Sequence, residues 1–470
     1  MKDVKAQKDI KNMKEMEDIK KMKDIKDKLD KLPVDIKLRA VDRLKIHIMR
    51  QKYGYFSRLC LLLSLIGPGI LVMIADNDAG GVITYAQTGS IFGLGFFIPF
   101  MVLMLPVAYI VQEMTVRLGA VTHRGHAEMI WKRYGKFWGA FSLADLVIAN
   151  ILTLITEFIG ITLGMQFFGV SPVVSSMIAL VVVFSIQLFL RYYTWEWISL
   201  SIAALNLVFV PLVFFVPHLH WNAVADSFKT WHISGGVSSL FIYVVLANLG
   251  TTIAPWMLFF QQSSVVDKGL TVKDIRDGQI DTFLGSFFMV LVAIAIVIIT
   301  GSVVHGVQGS SNMSIDQILH IISIKMGIVP MKLFALGLIE AGLIATIAIS
   351  ASTSWAAGEA LGWPKSINLP PLQGWYFYLP GLISVLIAGG VVLIPNIPLG
   401  FLNLTVQVVA SIFMPAAMLF LLMLLNDKEI MGEHINKKWQ NISAFIIVGF
   451  LIIMNGLYGI TVVFPHMFGR

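Results

Sequence analysis

The sequence predicts an all-α polytopic membrane protein with about eleven transmembrane helices, and three observations support this fold class. Of the 470 residues, 57% are hydrophobic and 13% are charged, and the mean hydropathy is +0.78. An ordinary soluble domain does not reach these values. The apolar residues form continuous runs near the 20 residues that a helix needs to cross a bilayer, not the alternating pattern of a membrane β-barrel. Two of these runs are interrupted in the middle by polar residues and glycine.

The chain begins with a charged tail, residues 1–56, that is rich in Lys, Asp, Ile and Met. Ile19, Met22 and Ile25 recur at helical spacing, so an amphipathic helix on anionic lipid and a solvated tail both fit the pattern. The net charge of +7 reflects how Lys and Arg are distributed about the membrane, and it does not indicate a nucleic-acid partner. The single cysteine, Cys60, excludes disulfides within the chain and thiolate-rich metal sites.

Eleven apolar runs follow the tail, and the lipid bilayer is their expected environment. They lie at roughly 57–91, 94–118, 138–165, 172–191, 196–217, 236–262, 281–304, 331–358, 375–394, 400–425 and 441–465. Lys and Arg concentrate in the tail and in alternate loops, such as 117–136 and 428–438. By the positive-inside rule, the sequence predicts a multi-pass protein of the plasma (cytoplasmic) membrane with its N-terminus in the cytoplasm and its C-terminus outside.

The first run carries charges where a membrane helix should be apolar. Asp76, Asn77 and Asp78 lie in its centre, and Gly80 and Gly81 follow. A carboxylate at bilayer depth is costly, and non-helical backbone persists there only when protein buries it or it lines a watery cavity. Two carboxylates and freed carbonyl groups are ligands that a hard divalent cation prefers. The alternative is a kinked helix with a structural acid.

The sixth run is broken in a comparable place, by Gly250, Thr251, Thr252 and Pro255. Two interrupted spans that lie five apart are typical of an inverted-repeat transporter with its site near the bilayer midplane. We therefore predict a first repeat over 57–217 (spans 1–5), a second over 236–425 (spans 6–10), and an additional span at 441–465.

Several short segments resemble the Nramp metal-ion transporters. The segment Gly67–Gly69, followed by Asp78–Gly81, resembles the start of the first span of that family, and Gly89–Gly93 fits the segment just downstream. Thr156–Gly160 and Gln407–Val409 match in spans three and ten. The resemblance implies the inverted-repeat fold and transport of a divalent cation, with no resident cofactor.

The sequence also departs from the family pattern. The family asparagine of the first span falls on Gly81, and its Met-Pro-His of span six falls on Ala254, Pro255 and Trp256. A thioether suits transition metals, whereas carboxylate, carbonyl and water suit Mg²⁺. The sequence therefore resembles the Nramp-related magnesium transporters. The family acid before Glu157 falls on Leu154, and the family arginine of span nine has no counterpart here, so we predict uptake of Mg²⁺, and also of Mn²⁺, without coupled protons.

The resemblance and the two interrupted spans together define the candidate site. Its expected members are Asp78, Asp76, Asn77, Ala75, Gly81, Thr251, Thr252, Ala254 and Gln407. The family's backbone-carbonyl ligands would fall on Ala75 and Thr251, and Gln407 would approach from span ten. Three further intramembrane acids are candidates for the ion path, although each also fits a structural role, and these are Glu157, Glu340 and Asp145.

Other functions are less consistent with the sequence. His123 and His126 have a spacing compatible with metal binding, but their basic loop favours a solvated pair. An amino-acid carrier would bring a carboxylate against Asp76 and Asp78, which would repel it. A divalent cation channel and a proton-coupled Mn²⁺ or Fe²⁺ transporter remain alternatives. The sequence contains no phosphate-binding glycine loop, nucleophile elbow or zincin motif, so we expect no enzyme.

Overall fold

The computed structural model describes residues 67–310, 313–395 and 399–463, and these residues contain helices and no strand. The α-helices run in chain order as α1 Pro68–Ala75, α2 Ala79–Phe92, α3 Phe97–Thr122, α4 His126–Gln166, α5 Pro172–Phe189, α6 Tyr192–Ala203, α7 Phe209–Leu212, α8 Trp221–Thr230, α9 Ser239–Thr252, α10 Pro255–Lys268, α11 Ile275–Val303, α12 Ile315–Met326, α13 Ile328–Leu361, α14 Pro371–Val391, α15 Leu399–Leu425, α16 Lys428–Met431 and α17 Lys438–Val463. Short 3₁₀ segments at Ala204–Val208 and Val213–Phe215 flank α7.

The predicted spans are present. Within the described residues, ten helical segments are long and apolar enough to cross a membrane, and they coincide with predicted spans two to eleven. The first predicted span is described from residue 67 onward as the two short helices α1 and α2. The charged tail at 1–56 lies outside the described residues, and the division into two repeats stays a prediction.

Some boundaries differ from the prediction. Helix α4 begins at His126, well before the predicted start at 138, and it contains a kink at Gly135, where φ is 86°. Three short helices, α8, α12 and α16, were not predicted, because a search for long apolar runs passes over short helices that are polar or amphipathic. The sequence does contain a capping pattern for α12, a serine at 314 followed by a glutamine at 317. In the structure the Ser314 N–H donates to the Gln317 side chain at 3.0 Å.

Helices α1 and α2 lie at the centre of the bundle, in contact with α4, α11, α13 and α15. Every residue of α1 except Ile70 is buried, and so is every residue of α2 except Ile91. The peripheral helices α5 and α17 instead expose most of their apolar side chains. Such an exposed apolar surface fits lipid, so the two short helices are the part of the fold that lipid does not reach.

The loops rich in Lys and Arg meet on one side of the bundle, which we call the basic face. Arg117 Nη1 donates to the His434 carbonyl at 3.1 Å, and Arg133 forms an ion pair with Asp427 at 2.7 Å. Lys365 also pairs with Glu128. These contacts bring basic loops that are far apart in the sequence to the same side of the bundle, and the orientation of the termini stays a prediction.

The prediction that His123 and His126 form a solvated pair is wrong for His126. Its side chain is fully buried, and its Nδ1 lies 3.0 Å from the Gln262 Oε1. The physical reason is that α4 begins at His126, so the residue belongs to a packed helix end and not to the loop. His123 is exposed at the end of α3, so the two histidines do not form a metal site.

Three buried charged residues hold the N-terminal end of α1, and we call them the α1 anchor: Glu196, Lys268 and Asp281. The Asp281 carboxylate accepts hydrogen bonds from the main-chain N–H groups of Gly67 (3.1 Å) and Gly69 (2.6 Å). Lys268 Nζ lies 2.9 Å from both carboxylate oxygens of Glu196. A carboxylate at a helix N-terminus satisfies orphan amides and favours the helix dipole, so the anchor fixes α1 within the bundle.

Candidate metal site

The first helix break is built by Asp78. Its backbone is extended (φ −63°, ψ 170°), and its side chain accepts a hydrogen bond from the Gly81 N–H as the N-cap of α2. A capping aspartate satisfies one of the free amides at the start of a helix. Since Asp78 starts a new helix, the main chain of Asp76 and Asn77 lies between two helix ends at the centre of the bundle.

The second break lies between α9 and α10. Ile253 and Ala254 both have extended backbones, and Pro255 occupies the first position of α10. Proline is favoured at the first position of a helix, because an N–H there would have no partner within the helix. Proline also disfavours a helical conformation for the residue before it. The sequence thus stops one helix and starts the next within three residues.

The two breaks lie side by side. A Cβ atom built on Gly81 would lie 2.7 Å from Thr251 Oγ1, 3.1 Å from Asp78 Oδ1 and 3.3 Å from the Asp76 carbonyl oxygen. A Cβ atom built on Gly80 would lie 2.3 Å from Gln407 Nε2. The structure therefore brings Asp78, Gly81, Thr251 and Gln407 together, and only glycine leaves room between them.

Glu157 lies at the same helix end as Asp78. Its Oε2 accepts a hydrogen bond from the Ala79 N–H at 2.8 Å, and its Oε1 accepts one from Thr156 Oγ1 at 3.0 Å. The carboxyls of Glu157 and Asp78 also interact with each other. Of the three predicted ion-path acids, Glu157 lies beside Asp78, and Glu340 is linked to the Asn77 carbonyl through the Asn206 side chain.

Several polar atoms at the breaks have no hydrogen-bond partner in the described structure. Asp76 is fully buried, and neither of its carboxylate oxygens is hydrogen-bonded. The same holds for Thr251 Oγ1, Asn77 Oδ1 and Gln407 Nε2. A buried carboxylate without a partner is costly, whereas a bound cation would compensate it. The two Asp76 oxygens and Thr251 Oγ1 are therefore the strongest structural sign of a cation site, whereas the amide nitrogen of Gln407 is a donor and does not bind a cation.

The ligand set that these residues offer is hard. Among residues 67–310, 313–395 and 399–463, no three His, Cys, Asp or Glu side chains are grouped so that they could hold a metal. A cation at the breaks would thus rely on two aspartates together with hydroxyl, amide and main-chain oxygens. Oxygen ligands of this kind suit hard cations, including those that keep part of their water.

Other predicted residues are placed differently. Thr252 Oγ1 donates to the Asn248 carbonyl at 2.7 Å, so its hydroxyl is already engaged. Ala75 is the last residue of α1, where the carbonyl groups lack helical partners. Asp145 precedes Glu157 by twelve residues on α4, which corresponds to about 18 Å along a helix, so it is not part of the site.

A sulfur atom lies at the second break, where the sequence predicted no thioether. The Ala254 N–H donates to Met257 Sδ at 3.4 Å, and the Met257 side chain is fully buried. Position 254 itself has no thioether, but one from the next turn of α10 packs against it. The only signal in the sequence was a methionine three residues after the break.

Buried polar side chains continue from the breaks along α2. Asn403 Nδ2 donates to the Gly80 carbonyl at 3.1 Å and to Thr84 Oγ1 at 3.2 Å, and Asn248 Nδ2 donates to Thr88 Oγ1 at 2.8 Å. The Oδ1 atoms of both asparagines are buried without a described partner. They supply neutral oxygens that fit the passage of a partly hydrated cation.

This row leads toward a cavity of 790 Å³ at the side opposite the basic face. Gln87 of α2, Tyr243 of α9, Gly400 of α15 and Thr461 of α17 are among the residues that line it, and Asp316 of α12 adds a carboxylate. The row of buried polar side chains therefore lies between the helix breaks and this cavity.

A match to a family profile shows to which family the chain belongs. The profile of the family described as natural resistance-associated macrophage protein-like, Nramp, matches residues 69–461. The chain belongs to the Nramp family. The match covers every described span, from α1 to the last turn of α17, and includes both helix breaks.

Curated relatives of this Nramp protein align over most of their length. The divalent metal cation transporter MntH 1 of Pseudomonas aeruginosa is 28% identical over 419 residues, which cover 85% of this chain and 92% of that protein. The divalent metal cation transporter MntH of Staphylococcus saprophyticus is 26% identical, and the alignment covers 89% of this chain and 96% of that protein.

Solved structures show the same fold. The manganese transporter of Eremococcus coleocola, in complex with an aromatic bis-isothiourea substituted compound, superposes with a TM-score of 0.69 at 20% identity. The superposition covers 86% of this Nramp chain and 88% of that chain. MhsT in complex with L-phenylalanine superposes with a TM-score of 0.55 at 13% identity, covering 85% and 98% of the two chains. The predicted fold class is therefore confirmed.

Proposed function

We propose that this Nramp protein transports divalent metal cations through the two helix breaks. The observation that carries the proposal is Asp76, a fully buried carboxylate without a hydrogen-bond partner, next to Asp78 and to the unpaired Thr251 hydroxyl. The names of the curated relatives, which describe divalent metal cation transporters, support it. In this proposal Asp78 is the main ligand, and Asp76, Thr251 and Gln407 complete the site.

The proposed principal cargo is Mg²⁺, with Mn²⁺ as a second substrate. The oxygen-rich ligand set, the absence of a side chain at Gly81 and the small Ala254 support a partly hydrated hard ion. The alternative is Mn²⁺ or Fe²⁺ as the main cargo, and it is favoured by the Met257 sulfur beside Ala254. The name of the Eremococcus coleocola relative also favours it.

We also propose that transport is not coupled to protons, with the basic face in the cytoplasm. Leu154 and Trp256 occupy the positions at which the resemblance to the family places an acid and a histidine of the proton relay, and both are buried. Glu157 is held by the Ala79 amide and the Thr156 hydroxyl. A membrane potential alone would supply about 4.6 kcal/mol per 100 mV for a doubly charged ion, so inward movement needs no proton.

Reconstituted liposomes test these proposals together. Purified protein would be supplied with Mg²⁺ or Mn²⁺ outside, a negative-inside potential, and a trapped pH-sensitive dye. We expect saturable uptake of both ions and no acidification of the lumen. Lack of uptake of either ion would overturn the transport proposal, and uptake of Mn²⁺ alone would favour the alternative cargo. Acidification that requires the metal would contradict uncoupled transport, and unitary current steps would indicate a channel.

The contribution of sulfur to selectivity can be measured directly. We expect Ala254→Met to strengthen Cd²⁺ uptake and weaken Mg²⁺ uptake, because a second thioether adds a soft ligand and fills space that hydrating waters need. Met257→Leu is the matched variant, since it removes the existing sulfur at nearly constant volume. If Met257→Leu lowers Mn²⁺ and Cd²⁺ uptake but leaves Mg²⁺ uptake unchanged, its sulfur is a ligand and the Mn²⁺ alternative gains support.

A further inference from the structure

A second polar cluster lies beside the first helix break, and it consists of Asn77, Asn206 and Glu340. Asn206 belongs to the 3₁₀ segment before α7, and Glu340 lies in the middle of α13. Asn206 Nδ2 donates to the Asn77 carbonyl at 3.2 Å and to Glu340 Oε2 at 3.2 Å. All three residues are buried. The cluster therefore joins α13 and the α6–α7 region directly to the segment between α1 and α2.

Each member of the cluster has one buried side-chain oxygen without a hydrogen-bond partner in the described structure. These atoms are Asn77 Oδ1, Asn206 Oδ1 and Glu340 Oε1. Exchanging the oxygen and nitrogen positions of either asparagine amide does not give the unpaired oxygens a partner. Asn77 Nδ2 donates to the Met289 carbonyl at 3.0 Å, and Asn206 Nδ2 faces two acceptors, so a turned amide would place oxygen against oxygen.

The charge of the cluster indicates the kind of ligand that would satisfy it. Glu340 carries one carboxylate, and its described hydrogen-bond partner, Asn206, is neutral. A buried carboxylate needs compensation by a cation or by further hydrogen bonds. One monovalent cation would balance its charge, whereas a divalent ion would leave an excess. The situation differs at the main site, where Asp76 and Asp78 provide two carboxylates.

We propose that Glu340, Asn206 and Asn77 form a site for a monovalent metal cation such as Na⁺. Carboxylate and amide oxygens are the hard ligands that such an ion requires. The ion would satisfy three oxygens that the protein leaves unpaired.

The position of the cluster gives the monovalent ion a role in divalent cation binding. This role rests on the transport function proposed above. Asn77 lies between Asp76 and Asp78, so an ion held by Asn77 fixes the segment that carries both aspartates. Ordering of a binding segment by a first ligand raises the affinity for a second one. Occupancy does not require that the monovalent ion crosses the membrane, so uptake of the divalent cation needs no coupled flux.

Thermal unfolding of the purified protein tests the site without transport. In the absence of divalent ions, we expect NaCl to raise the unfolding midpoint of the wild-type protein above its value in choline chloride of equal ionic strength. Glu340→Gln should remove this response, and it should be at least as stable as the wild type in choline chloride because it removes an unpaired charge. That comparison distinguishes loss of the site from a folding defect.

Glu359→Gln is the matched control on the same helix. Glu359 is also buried, but its two oxygens accept hydrogen bonds from Ser263 Oγ at 2.6 Å and from the Ala127 N–H at 3.2 Å. This variant should keep the response to Na⁺. A wild-type midpoint that does not respond to Na⁺, or an equal response in Glu340→Gln, would overturn the inference.

Uptake measurements then separate this inference from the proposed function. In liposomes, Na⁺ should lower the apparent KM for the divalent cation by about fivefold in the wild type and leave it unchanged in Glu340→Gln. If no divalent cation is taken up but the Na⁺ response persists and depends on Glu340, the proposed function fails and the site stands. If the unfolding midpoint does not respond to Na⁺ and uptake is normal and independent of Na⁺ at every concentration, the site fails and the proposed function stands.

Discussion

Asp78→Asn is expected to reduce divalent cation uptake by about a hundredfold or more, because removing one partner of a buried charge pair costs about 3 kcal/mol or more. Asparagine is as good a helix N-cap as aspartate, so the hydrogen bond from the Gly81 N–H can be kept. The variant therefore removes the charge and preserves the start of α2. Initial rates of Mg²⁺ and Mn²⁺ uptake in liposomes are the measurement.

Two companion variants show whether the loss is specific. Asp78→Ala removes both the cap and the charge, so it should lose thermal stability as well as uptake. Asp76→Asn should raise the apparent KM more than it lowers the maximal rate, because Asp76 lies at the end of α1 and does not cap α2. Near wild-type uptake by Asp78→Asn would show that this residue is not the main ligand.

Lys268→Met is expected to be the most destabilising single change in the α1 anchor, at about 3–5 kcal/mol. The Lys268 side chain is fully buried, and it pairs with both oxygens of Glu196, whose side chain is only 3% exposed. Methionine keeps the volume but leaves the Glu196 charge buried and uncompensated. Lys268 also interacts with Asp281, so the carboxylate that holds α1 loses support as well.

The double variant Lys268→Met with Glu196→Gln provides the control. Replacing both partners removes the uncompensated charge, so much of the lost stability should return, as measured by the unfolding midpoint in detergent. A single variant as stable as the wild type would mean that the pair contributes little. Failure of the double variant to recover would assign the effect to the buried Asp281 carboxylate, which also loses Lys268, or to packing around Gly67.

The sequence was sufficient to predict the fold class, and it also indicated the two helix breaks at which the candidate site lies. Long apolar runs report directly on span number, and the breaks at Asp76–Gly81 and at Gly250–Pro255 are visible because charged residues, glycine and proline interrupt those runs. Both signals are local. The structure places Asp78 and Thr251 close together beside Gly81, as the pairing of the two interrupted spans predicts.

What the sequence did not reveal depends on contacts between distant segments. Glu340 was identified as an intramembrane acid, but its link through Asn206 to Asn77 requires knowing that three helices meet at one depth. Met257 was missed and His126 was misread, because their contacts with Ala254 and Gln262 depend on how the helix ends pack against each other. The charge pattern alone also gave no indication that Lys268 is buried against Glu196.

The close approach at the helix breaks limits how the protein can change over evolutionary time. A Cβ atom on Gly250 would lie 1.8 Å from the Gln407 carbonyl oxygen, and one on Gly80 would lie 2.3 Å from the Gln407 side chain. Gly449 and Gly456, on the peripheral helix α17, have no neighbouring atom within 4 Å of such a position. Descendants of this sequence should therefore diverge freely along α17 and keep glycine at Gly80 and Gly250, where even one methyl group would push the broken helices away from Gln407 of α15.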